Sequence, residues 1–111
     1  MVELIDQQCN SDPDKAPRLN EEECQNLMLK LDPDWRLDMS KQVISRTFEF
    51  KNYYHTTAFA NSVFWVAHRQ DHHPDLTISY KHCAISYSTH SVNGLSINDF
   101  ICAARLDSLL K

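Results

Sequence analysis

Glycine is nearly missing from this chain: of 111 residues, only position 94 carries one. Loops that cradle phosphates need several, so the dinucleotide-binding and P-loop fingerprints are excluded. Neither a G-x-S-x-G nucleophile turn nor an H-E-x-x-H zinc helix is present. Runs of basic residues are also absent. With a formal charge of −4 and a pI near 5.8, the chain lacks the positive footprint of a nucleic-acid partner. Cys9, Cys24, Cys83 and Cys102 include no C-x-x-C pair, and Met1 to Asp14 lacks the basic and apolar regions of a secretory signal. Reduced thiols in a cytoplasmic protein are therefore expected. The longest apolar run, Val63 to Ala67, is far too short to cross a bilayer, so no membrane partner is expected.

A chain of this length suits one core. Residues 1–19 hold Asp12, Pro13, Asp14, Lys15 and Pro17 with little to bury, and are expected to form a mobile N-terminal arm. Residues 20–111 then make one domain. Asn20 and Glu23 form a capping-box start to a helix reaching Leu31, which Pro33 ends. Trp35 to Asp38 and Val43 to Phe50 read as strands. In the second, Ile44, Phe48 and Phe50 share one face, and Met39 to Gln42 link the two without a strong turn signal. Tyr53 to Arg69 has no Pro or Gly and an apolar stripe of Phe59, Val63, Val66 and Ala67, so it is a helix. After His73-Pro74, Leu76 to Tyr80 and His82 to Ser88 read as two more strands, with Cys83, Ile85 and Tyr87 on one side. A turn at Asn93-Gly94 leads to a last helix, capped by Ser96 and Asp99 and stapled by Leu95 on Phe100. Its buried stripe is expected to be Ile97, Ile101 and Ala104. The order αββαββα implies an α+β fold: a four-stranded antiparallel sheet with three helices packed on one face.

Histidine is concentrated where the other signals stop. Five of the six, His68, His72, His73, His82 and His90, lie within residues 68–90. Imidazole, with an ordinary pKa of about 6.5, gives and takes protons near neutrality. A cluster of such groups suits acid–base chemistry without a cofactor. His72 and His73 follow a helix end and precede a proline, where a scaffold presents side chains to a cleft; His90 follows the last strand. His55, His68 and His82 read as surface residues. A metal site is the rival, since His72, His73, His90 and Cys83 are acceptable zinc ligands and His68 and His72 are spaced i,i+4. Adjacent histidines diverge, however, and no following acid or C-x-x-C completes a set.

The run His68-x3-His72-His73-Pro74, then Tyr80, His90 and Asp99, resembles the signature of the pterin-4a-carbinolamine dehydratases at all seven fixed positions. The similarity extends over roughly residues 20–110 and leaves the arm outside. It implies the fold already read, no cofactor, and catalysis by His72, His73 and His90. It also implies pterin contacts from Asp71, Ser88, Thr89 and Trp35, the last matching a tryptophan near the family's pocket. Two positions depart from vertebrate members, which have an acid where His68 stands and a glutamate where Ser91 stands. The implied reaction is dehydration of a 4a-hydroxy-tetrahydropterin to the quinonoid dihydropterin, recycling the pterin of aromatic amino acid hydroxylation. The alternatives are a molybdopterin- or folate-related pterin as substrate, or a non-catalytic binding module like the transcription-factor role of vertebrate relatives. A homodimer or homotetramer is expected, because a four-stranded sheet leaves edges to cover.

Overall fold

The capping box at the start of the first helix forms in full. The Asn20 side chain accepts from the Glu23 amide at 2.8 Å, and the Glu23 carboxylate accepts from the Asn20 amide at 2.9 Å. In the computed structural model, which describes residues 2–111, α1 spans Glu21–Met28 and a turn carries the chain to Leu31. β1 (Arg36–Asp38) and β2 (Val43–Glu49) follow, then α2 (Tyr53–Gln70), β3 (Asp75–Ile78), β4 (His82–Tyr87) and α3 (Ile97–Ser108). The sheet order is β1-β2-β4-β3, antiparallel throughout. The α+β class and its αββαββα order are as expected.

Register explains the core. Leu37 pairs with Ile44 and Ile44 with Tyr87; Phe48 pairs with Cys83, and Leu76 with Ile85. Directly opposed residues share a face, so these side chains form one apolar surface. Phe59 and Val63 of α2 and Phe100 and Leu106 of α3 complete that core. The opposite sheet face shows small and polar groups, such as Ser45, Thr47 and Ser86.

One inward position is not apolar. Arg46 lies between Ile44 and Phe48, opposite Ile85, with its side chain only 12% exposed. Its guanidinium sits 4.1 Å over the Phe48 ring and reaches Asp107 of α3 at 2.7 Å. Asp32 and Asp34 stand farther off, at 3.6 and 3.7 Å.

The N-terminal segment departs from the expected mobile arm. Leu4, in a short 3-10 turn at Leu4–Asp6, and Ala16 are buried. Arg105 of α3 donates to the Gln7 carbonyl at 2.6 Å, and the Cys9 and Cys102 sulfurs touch at 3.6 Å. The segment therefore lies along the outer side of α3. That also corrects the stripe expected for α3: Ile97 and Ala104 are only half-buried, while Asn98 to Ala103, Leu106 and Asp107 are buried. A helix covered on both sides buries more than one stripe.

Candidate active site

Two turns and a helix start meet at one end of the sheet. α2 ends with Asp71 in the left-handed conformation (φ 51°, ψ 44°), which aspartate tolerates better than most residues. The amides of Asp71 and His72 both donate to the Ala67 carbonyl, a fold-back that reverses the chain. It turns His72 toward α3. Pro74 then keeps His73 out of helical backbone and leads into β3.

His72 is held on two sides. Its ring lies parallel to that of Tyr87, 5.9 Å between centroids and 7° between planes. Its Nε2 is 2.6 Å from Asp99 Oδ1, with the His72 side chain 11% exposed and Asp99 fully buried. The other carboxyl oxygen, Oδ2, accepts from the Ser96 amide at 3.0 Å and the Thr89 hydroxyl at 2.8 Å. Asp99 is thus both the helix cap and the partner of His72. Tyr87 is fixed as a neutral surface under the imidazole, because burial pushes its phenol far up from the ordinary range.

β4 runs into the opposing wall. Thr89 and Gly94 exchange backbone bonds of 2.8 and 3.3 Å, closing a loop in which His90–Val92 form a 3-10 turn and Asn93 is left-handed (φ 53°). At Gly94 a Cβ would stand 2.6 Å from Gln42 Oε1 and 2.8 Å from Arg18 Nε, so these two side-chain ends would have to shift to admit one. Ser88 donates to the Gln42 carbonyl at 2.8 Å, tying the loop to the β1–β2 hairpin.

The space between is a cleft of about 350 Å³. Asp71, His72, His73, Ser88, Thr89 and His90 all line it, so six of the seven expected site residues converge. Trp35 does not. It is 3% exposed in the core against Phe48 and Tyr87, and its Nε1 donates to Asp107 Oδ1 at 2.7 Å. Asp107 lies eight residues beyond Asp99, roughly 12 Å along a helix rising 1.5 Å per residue. Trp35 is therefore a core residue rather than a pterin contact of this cleft.

The zinc alternative loses its fourth candidate, since Cys83 is buried in the core and burial raises its thiol pKa. Among the described residues, no three His, Cys, Asp or Glu side chains converge as a metal centre requires. His68 is exposed and packs on Trp65 at 5.7 Å rather than lining the cleft. Two features escaped sequence reasoning: Asp99 as the partner of His72, and a fourth wall from Asn10, Ser11, Pro13 and Ala16. The capping box and the family signature both mark Asp99 in the sequence, but neither pairs it with His72.

Fold and cleft together define an α+β domain with a histidine-lined site at one end of its sheet. The family model for pterin 4 alpha carbinolamine dehydratase matches residues 17–109, and the chain belongs to that family. A chain of Nitrosomonas eutropha is 49% identical over 110 residues, covering 99% of this chain and 96% of its own. One of Nitrosomonas europaea is 49% identical over 111 residues, 100% of this chain and 96% of its own. Both are named, provisionally, as pterin-4-alpha-carbinolamine dehydratases. A crystal structure from Brucella melitensis, described as a transcriptional coactivator/pterin dehydratase, superposes with a TM-score of 0.80. It is 28% identical and covers 85% of this chain and 99% of its own.

Proposed function

We propose that this protein dehydrates 4a-hydroxy-tetrahydropterin to quinonoid dihydropterin by histidine acid–base catalysis. The observation that carries this reading is the buried Asp99 on His72 Nε2, in a cleft that His73 and His90 share. In the reaction, the N5 lone pair forms a double bond to C4a as the C4a–O bond breaks. The departing hydroxide takes a proton and leaves as water, and N5 gives its proton to a base. With Asp99 as the carboxylate, His72 Nε2 is the donor in the 2.6 Å contact, and a neutral imidazole then offers the Nδ1 lone pair as the base. Once Nδ1 takes the N5 proton, Asp99 stabilises the imidazolium. His90, exposed at the cleft, is the acid for the hydroxyl, and His73 orients the pterin. Stopped-flow decay of 4a-hydroxy-tetrahydropterin with and without the protein tests this; equal rates would refute it.

The cleft also favours one substrate class. None of its lining residues is Lys or Arg, while Asp71 and Asp75 both line it. Apart from its histidines, that lining offers no permanent cation to the phosphate of a molybdopterin-type substrate or the glutamyl tail of a folate. A neutral side chain fits, consistent with a cytoplasmic enzyme recycling the pterin of aromatic amino acid hydroxylation. Among the described residues, no helix is long and apolar enough to cross a membrane.

Because the roles above move only protons, full activity is expected after exhaustive chelation. Loss of activity restored by one equivalent of zinc would instead favour a metal enzyme.

Assembly follows from what the fold leaves open. β1 and β3 are free sheet edges, and Tyr54, Trp65 and Leu110 are 82%, 61% and 51% exposed. A homodimer or homotetramer covers such edges and apolar groups. Light scattering at micromolar concentration should therefore give a multiple of the 12.9 kDa chain, and a monomer would refute it.

A further inference from the structure

The fourth wall of the cleft comes from residues that precede the part of the chain the family model matches. Residues 10–16 are a built turn. Asn10 Oδ1 accepts from the Asp12 amide and Asp12 Oδ1 from the Asp14 amide, both at 2.9 Å. The Asp12 carbonyl accepts from Lys15 at 2.9 Å and from Ala16 at 3.0 Å.

Two buried amides clamp the segment to the site. Asn98, 4% exposed, accepts from the Asn10 amide through Oδ1 at 3.0 Å and donates through Nδ2 to the Asn10 carbonyl at 2.8 Å. Gln70, 8% exposed, accepts from the Cys9 amide at 2.8 Å and donates to Gln8 Oε1 at 3.1 Å. Every polar atom of both side chains is thereby used. Their positions are also telling: Asn98 immediately precedes Asp99, and Gln70 lies two residues before His72. The elements that hold the catalytic pair therefore hold the wall.

We infer that residues 10–16 form a substrate-contacting wall, and that Asn98 and Gln70 are positioning residues that keep it against the pterin. This rests on the function proposed above. The wall offers Pro13 and Ala16 as apolar surface and Asn10 and Ser11 as polar groups, a composition suited to packing against a flat heteroaromatic ring while bonding its edge. Such contacts act on substrate and transition state alike, so their loss appears in KM rather than kcat.

The test uses full-length Asn98→Ala and Ser11→Trp. The first releases the clamp. The second fills the cleft from an exposed position that the fold does not need. Hydrogen exchange at the Cys9 and Asn10 amides, dihydrobiopterin binding by fluorescence, and dehydration kinetics are the readouts. In Asn98→Ala the Asn10 amide should lose protection while the Cys9 amide, bonded to Gln70, keeps it. KM and the dihydrobiopterin Kd should rise about tenfold while kcat changes by less than about threefold. Ser11→Trp should raise both constants without altering amide protection. Unchanged constants in Ser11→Trp would overturn the proposal even if Asn98→Ala failed to fold. A fall in kcat alone in Asn98→Ala would also overturn it, placing Asn98 with Asp99 instead. Wild-type protein that binds dihydrobiopterin without dehydrating the carbinolamine would sink the enzymatic reading and leave the wall standing.

Discussion

Replacing His90 with alanine or His72 with glutamine should lower the dehydration rate at least about 10²-fold, the usual contribution of one positioned acid or base. The two positions need different substitutions. His90 is exposed and can be truncated without loss of packing. His72 cannot, because alanine there would leave the buried Asp99 Oδ1 unpaired, at a cost of about 1–3 kcal/mol. Glutamine can place an amide N–H near the same oxygen yet offers no titratable nitrogen, so it separates chemistry from folding. Asp99→Asn should fall between wild type and His72→Gln, since the imidazole survives but loses its anionic partner. Single-turnover kinetics on folded protein decide the matter. Near-wild-type rates in both histidine variants would end the mechanism.

The elements were legible because their local signals agree. Asn20 with Glu23 and Ser96 with Asp99 announce helix starts that form with the expected bonds. The period-two run Cys83, Ile85, Tyr87 marks the inner face of β4 without ambiguity. Two features were not legible. The β1–β2 hairpin carries no glycine or asparagine, because Gln42 itself adopts positive φ (56°). Its side chain offsets that conformation by accepting from the Leu95 amide at 3.2 Å, a long-range bond no local pattern shows. The N-terminal segment looked unpacked because it buries only scattered apolar residues, Leu4 and Ala16, and otherwise docks largely through backbone groups held by Asn98 and Gln70. Such a surface has no hydrophobic period to read.

The site divides in the same way. The histidines stand out by number and by their place beside Pro74, and the family spacing marks which ones matter. What spacing cannot carry is direction. Trp35 fits the family pattern in sequence, yet its indole points to Asp107 rather than to the cleft. Arg46 was passed over within an apolar strand face, although it links that strand to α3. Both misreadings involve long side chains whose partners lie more than 60 residues away. They meet at one carboxylate.

That carboxylate sets the largest expected effect on stability. Asp107 Oδ1 accepts from Trp35 Nε1 and from Arg46 Nη1, both at 2.7 Å, and Oδ2 accepts from the Asp32 amide at 3.0 Å. Asp107→Ala removes all three bonds and leaves a cation, an indole N–H and a backbone amide short of a partner. Breaking a buried pair from one side costs about 3–5 kcal/mol. Asp32 and Asp34, already within 4 Å of Arg46, recover part of it. A loss of about 3 kcal/mol in urea unfolding is therefore expected for Asp107→Ala. Asp107→Asn, which keeps an oxygen for Trp35 or Arg46 but not the charge, should lose less. Because Asp107 anchors the C-terminal end of α3 while Asp99 anchors its start to His72, the same variant should raise hydrogen exchange along α3. A change of under about 1 kcal/mol in Asp107→Ala would mean that Asp32 and Asp34 hold Arg46 well enough alone. α3 would then owe its position to apolar packing rather than to an acid at each end.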